Sequence, residues 1–133
     1  MDHSQAEWLL LHDVVHPLVT AHTAQAVLAA ARLHGCAAAA LPLPEFLYDE
    51  QGLQVARPGQ AWLVQKPIVF RRSDMQAGFV KADAQGLSHD ASALEILAAA
   101  GVTPRFVAGS SHNPKVTEAS DLKWVEALLE RLA

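Results

Sequence analysis

Four bulky apolar residues in a row, Trp8-Leu9-Leu10-Leu11, constrain this chain more than any other stretch. The run is too short for a helical core and reads as a buried strand. It stops at His12-Asp13, and Pro17 then forbids a regular continuation. An acidic residue just past the carboxyl end of a buried strand stands where open α/β sheets bind ligands. A carboxylate there suits a hard divalent cation. The alternative reading of Asp13 is a turn former or helix cap, its side-chain oxygen accepting a backbone N–H. His12 and His16 flank it four residues apart, a spacing that shares one face only on a helix. Pro17 opposes a helix there, so a zinc pair is not expected.

The next elements turn this strand into an α/β pattern. Ala26, Val27, Ala30 and Leu33 recur at helical spacing, with Thr20 or His22-Thr23 as starts and Gly35 as the stop. Residues 36–41 read as a second buried strand, although alanine is a weak strand former. Strand, helix, strand over some thirty residues predicts a βαβ unit with parallel strands and a right-handed crossover. Pro42 and Pro44 break the pattern. Residues 45–60, with Gln51-Gly52 and Pro58-Gly59, predict an excursion from the sheet as a β-hairpin arm. An arm with apolar residues needs a partner surface.

Trp62-Leu63-Val64-Gln65-Lys66-Pro67-Ile68-Val69-Phe70 returns to the core, with Pro67 denying it a continuous ladder. Ser73-Asp74 predicts a helix over 75–84, closed by Gly86. Asp90 is the expected cap of a further helix carrying Leu94, Leu97 and Ala98, ended by Gly101. Residues 105–108 read as a short strand. A final helix over 118–132 presents Leu122, Val125, Leu128, Leu129 and Leu132 on one face.

At 133 residues the chain fits a single domain, and its 51% hydrophobic content is enough for a core. No apolar run approaches the ~20 residues that span a bilayer, and no charged-then-apolar leader opens the chain, so a cytoplasmic protein without membrane contact is expected. Net charge is −4 and the basic residues are scattered, which disfavours nucleic acid as a partner. The one cysteine, Cys36, excludes an internal disulfide and is expected to pack as a small apolar residue. Most of the seven histidines read as surface or locally hydrogen-bonded groups.

Three blocks then stand together. His12-Asp13-x-x-x-Pro17-Leu18-Val19 resembles the HDAARP(F/L)V block of the 2-C-methyl-D-erythritol 4-phosphate cytidylyltransferases. Gln65-Lys66-Pro67-x-x-Phe70-Arg71 resembles their QTPQxFR block. Asp90-Ala91-Ser92-Ala93-Leu94-Glu95, with Gly109-x-x-x-Asn113-x-Lys115-Val116-Thr117 and Asp121-Leu122, resembles their carboxyl-terminal region. The blocks keep the family's order over essentially the whole chain.

The resemblance implies a Rossmann-like nucleotidyltransferase fold, a three-layer sandwich of the nucleotide-diphospho-sugar transferase type. It implies a homodimer or higher oligomer formed through the arm. The implied reaction joins CTP to 2-C-methyl-D-erythritol 4-phosphate, or another small alcohol phosphate, and releases pyrophosphate in non-mevalonate isoprenoid synthesis. The implied cofactor is Mg²⁺. Asp13 matches the aspartate that helps hold metal and nucleotide, and Lys115 the lysine that reaches the phosphate site; these two are the implied catalytic pair. Arg57 matches an arm arginine that crosses the dimer to the substrate phosphate. His16, Lys66 and Asn113 complete the implied substrate-binding set.

Each has a plainer reading: Lys115 as a solvated lysine, Asn113 as a turn former, Arg57 as a surface charge, Asp90 as a helix cap.

The chain also departs from the family pattern. The family's Gly-rich loop, which cradles CTP phosphates through backbone N–H groups and positive charge, has no counterpart, so the fold is expected to be incomplete at the amino terminus. Met1 then reads as an internal start, or a separate amino-terminal subunit completes the site. His16 stands where the family has arginine, Lys66 where it has threonine, and Phe46 and Tyr48 near its Thr and Lys of DTxK. His89 stands in its Thr-Asp-(Asp/Glu) neighbourhood. These changes leave a second expectation open: a catalytically inactive relative that serves as a dimerisation, regulatory or ligand-binding module.

Overall fold

The computed structural model describes residues 5–87 and 90–132, with backbone only at 132; His89 and the Leu132 side chain lie outside the described residues. Strand β1 is Trp8–Leu11, helix α1 Ala21–His34 and strand β2 Cys36–Pro42. The arm holds β3 (Leu47–Tyr48) and β4 (Gln54–Ala56). Strand β5 (Trp62–Arg71) and helices α2 (Arg72–Ala84) and α3 (Ala93–Ala99) come next. Strand β6 (Arg105–Ala108) and helix α4 (Ala119–Leu132) end the order.

The main sheet runs β1-β5-β2-β6. β5 is antiparallel to both neighbours, and β6 is parallel to β2. This corrects the expected βαβ unit: β1 and β2 run in the same direction but do not pair, because β5 inserts between them. The reason lies in their lengths and burial. β5 has ten residues and buries Ile68, Val69 and Phe70, so it takes a central position. β1 has four residues and leaves Leu10 49% exposed, so it is a half-buried edge and not the buried strand expected.

β2 is the hub. Cys36, Ala37, Ala38, Ala39 and Ala40 are all fully buried, with β5 on one side and β6 on the other. Successive strand residues face opposite ways. Ala37 and Ala39 pack with Val27 and Ala31 of α1 and with Val69, while Cys36 and Ala38 pack with Ile68, Phe70 and Leu97 on the α2–α3 side. The result is three layers: α1, the sheet, then α2 and α3. Small side chains on β2 let helices close on both faces, which overrides alanine's poor strand propensity. Burying a side chain the size of Val27 or Leu97 contributes about 1.5–3 kcal/mol.

Local signals explain the helix ends. The Thr20 hydroxyl accepts the Thr23 amide at 3.2 Å to start α1, and Gly35, at φ 89°, sends its N–H to the Ala31 carbonyl at 2.7 Å to end it. α2 starts at Arg72, earlier than the expected 75, without a side-chain cap. The Arg72 N–H instead donates to the Glu7 carbonyl at 2.9 Å, so β5 runs straight into the helix. Asp90 is not the cap of α3. Ser92 is, and with Glu95 it forms a reciprocal capping box.

The arm is the expected hairpin, a separate two-stranded sheet. The Asp49 carboxylate accepts the Gln51 and Leu53 amides at 3.0 and 2.8 Å, and Gly52 turns the chain at φ 77°. On α4, Val125 and Leu128 are buried while Leu122 and Leu129 stay about half exposed, so the expected apolar face is only partly covered. Among the described residues no helix is long and apolar enough to cross a membrane.

Pro67 has the expected effect on the ladder but does not end the strand. β2 and β5 pair Ala38 with Ile68 and then Ala40 with Val64, a register shift that throws residues 65–67 into a bulge. Pro67 has no N–H to give, and the Lys66–Pro67 peptide is cis. The bulge sits just past the carboxyl end of β1, whose Leu11 pairs with Ile68, and it shapes the site.

Candidate functional site

A cleft of about 300 Å³ opens past the carboxyl end of β1, beside the β5 bulge and the loop after β6. Asp13 and His16 enter it from the loop after β1, Lys66 from the β5 bulge, and Lys115 from the loop after β6. Val64, Ile68 and Leu94 give it an apolar wall.

A tight turn presents the first pair, the His16 N–H donating to the Asp13 carbonyl at 3.1 Å. The Val116 N–H donates to the Val15 carbonyl at 2.8 Å and ties the Lys115 loop to that turn. Gln65, buried at the foot of the bulge, bonds the same loop: its Nε2 donates to the Ser110 and Asn113 carbonyls at 2.8 and 2.9 Å. Its Oε1 accepts the Ser110 N–H at 3.0 Å. Three segments far apart in sequence thus bring four residues to one cleft, tied by backbone bonds and by the Gln65 side chain.

The charges are arranged for an anion. Lys66 Nζ lies 3.6 Å from Asp13 Oδ2, and with Asp13 38% exposed this pair is worth at most about 1 kcal/mol. Lys66 and Lys115 set two ammoniums against one carboxylate, so a positive charge is left over. His16 adds none at neutral pH. Burial holds its pKa below the usual histidine value, opposed by Asp13 and reinforced by His12, Lys115 and Lys66. Its Nδ1 is buried without a hydrogen-bond partner among the described residues.

The structure therefore brings together Asp13, His16, Lys66 and Lys115 and leaves two expected residues apart. Arg57 lies exposed on the arm, its backbone N–H donating to Gln60 Oε1 at 3.1 Å, and does not line the cleft. Asn113 is buried beside the cleft, its Nδ2 donating to the Lys66 carbonyl at 3.2 Å. That bond braces the bulge. Ser92 lines the cleft as well, but its hydroxyl accepts the Glu95 amide in the α3 cap. Gln65 had no role in the sequence reading; a lone amide inside an apolar strand just before a proline was the available signal. Among the described residues no three His, Cys, Asp or Glu side chains gather as a metal cluster.

The model of the 2-C-methyl-D-erythritol 4-phosphate cytidylyltransferase family matches residues 2–131. The chain is 34% identical over 137 residues to the protein of that name from Symbiobacterium thermophilum, covering 98% of this chain and 57% of the relative. It is 37% identical over 130 residues to that of Bordetella pertussis, covering 92% and 55%. The crystal structure of the Thermus thermophilus protein of that name superposes with a TM-score of 0.81 at 30% identity, over 94% of this chain and 63% of that one. The Francisella tularensis structure, at 20% identity, gives 0.84 over 96% and 62% and is a likeness of fold. The chain thus spans little more than half the length of the curated relatives it matches.

Proposed function

The chain belongs to the 2-C-methyl-D-erythritol 4-phosphate cytidylyltransferase family, and on that premise we propose that its cleft is the phosphate- and metal-binding side of a cytidylyl-transfer site. The reaction would move CMP from CTP to the phosphate of 2-C-methyl-D-erythritol 4-phosphate, or of a similar small alcohol phosphate, with release of pyrophosphate. The observation that carries the reading is the convergence of Asp13, His16, Lys66 and Lys115 in one cleft.

Transfer at phosphorus is catalysed mostly by positioning and charge neutralisation. Lys115 and Lys66 serve that end by donating charged hydrogen bonds to phosphate oxygens. A phosphate arriving at Lys66 competes with Asp13 for its ammonium. His16, uncharged, lines the same cleft, and Asn113 holds the strand from which Lys66 projects. Arg57 serves a neighbouring copy in a dimer built through the arm, since it lies outside its own cleft.

One carboxylate is also what Mg²⁺ commonly takes from a protein when phosphates and water fill its other positions. Asp13 fits that role. When bound there, the ion would supply further neutralisation of phosphate charge.

Calorimetric titration of the full chain with CTP plus Mg²⁺ tests the reading. Binding in the micromolar range, about −8 kcal/mol, is expected. No heat up to millimolar CTP would overturn it and leave the non-catalytic module as the better account.

A further inference from the structure

We propose that Gln65 is a positioning residue: its side-chain amide locks the 109–116 loop to β5, so that Lys115 and Lys66 line one cleft at a fixed spacing. The inference rests on the reading of that cleft as a phosphate site.

Gln65 is 4% exposed in a strand whose other buried side chains are apolar. A buried amide stays only where its hydrogen bonds are met. Among the described residues all three of its side-chain bonds go to the loop after β6. Nε2 donates to the Ser110 carbonyl at 2.8 Å and the Asn113 carbonyl at 2.9 Å, and Oε1 accepts the Ser110 N–H at 3.0 Å. Asn113 returns a bond to the Lys66 carbonyl at 3.2 Å. The lock therefore spans the residue next to Lys66 and the residue two before Lys115.

The approach is close as well as bonded. A Cβ placed on Gly109 would fall 2.2 Å from Gln65 Oε1 and 3.2 Å from the Ala40 backbone. Only glycine lets the loop come down onto the amide. Lys115 has no ion pair among the described residues to fix it otherwise. Its side chain is aimed by the backbone that carries it, and Gln65 holds that backbone.

The test is a double-mutant cycle read by calorimetry with inorganic pyrophosphate on the full chain, well below its melting temperature. Gln65→Met keeps the volume and removes every hydrogen bond. We expect it to weaken pyrophosphate binding about tenfold, as misplacing a charged group in a site does. In a Lys115→Met background the same change should cost less than about twofold, because the effect passes through Lys115. A role in folding alone would lower the melting temperature and leave the affinity of the folded chain unchanged. Equal losses in both backgrounds, or no loss in either, would overturn the proposal.

Wild-type chain that binds no pyrophosphate overturns the phosphate-site reading, and this inference with it; wild-type binding that Gln65→Met leaves intact overturns the inference alone. Hydrogen exchange on the unmodified chain gives an independent arm should the variants not fold. The Ser110 amide must be protected like the amides of β2. Exchange at open-loop rates refutes the lock.

Discussion

His16 is the residue whose chemistry the fold changes most within the cleft. Burial keeps its imidazole neutral, so the unfolded chain takes up a proton more readily than the folded one. The stability it contributes is complete above the unfolded value of about 6.5 and is lost as pH falls from there through its lower folded pKa. The melting temperature should drop as pH falls below about 6.5, and His16→Gln should shrink that drop. An unchanged drop in the variant would assign the acid sensitivity elsewhere. Cys36 is the opposite case: burial, with Asp74 adding to it, pushes its thiol up to about 11. Thiolate is then scarce at pH 8, so a disulfide reagent should label the native chain far more slowly than the chain in guanidinium. Fast native labelling would mean that β2 opens. The alanine neighbours of Cys36 pointed to its burial, whereas the motif position of His16 implied a substrate contact and not a buried, neutral ring. Asn113 was harder to read. Its carbonyl is held by Gln65 48 residues away, and no local pattern records such a tie.

The same division holds for the elements. Those set by adjacent residues were legible: α1 between Thr20 and Gly35, β6 at 105–108, the arm around Gly52. Those set by distant partners were not. β5 displaced the expected β1–β2 neighbourhood, and α2 took its first hydrogen-bond partner from Glu7. The α2–α3 contact is another long-range constraint, and it reverses a local preference. Alanine is the better helix former than glycine by about 1 kcal/mol. Yet a Cβ on Gly78 would meet the Ile96 carbonyl oxygen at 2.4 Å, backbone that cannot swing aside. Gly78→Ala should therefore destabilise the chain, by about 1–3 kcal/mol, as overpacking does; urea unfolding would show the midpoint falling. A rise would mean that the helices separate freely. Ser92→Ala should cost about 1 kcal/mol by the same assay, since α3 has only seven residues and relies on its cap. The Glu95 half of that cap weakens in acid: bonds from Ser92 hold its carboxyl below the usual range, and its contribution is lost as pH falls through that lowered value.

At the scale of the molecule the unbalanced feature is the arm. Phe46, Tyr48, Leu53 and Val55 are each more than half exposed on it, and Trp62 and Leu63 continue the apolar surface at its base. Side chains of this kind gain about 25 cal/mol for each Å² of apolar surface removed from water, and a hairpin of two short strands is marginal alone. A second copy laid against the arm would cover that surface. It would also offer a cleft to Arg57, which its own chain leaves on the outside. Sedimentation at micromolar concentration should accordingly find a dimer or larger species. Val55→Asp, which places a charge on the face to be covered, should shift it toward monomer with little change in melting temperature. If Arg57 serves a neighbouring cleft, Val55→Asp and Arg57→Ala should weaken pyrophosphate binding to a similar degree, and their combination should add little. Independent losses would separate association from ligand binding, and a clean monomeric wild type would remove the arm from both.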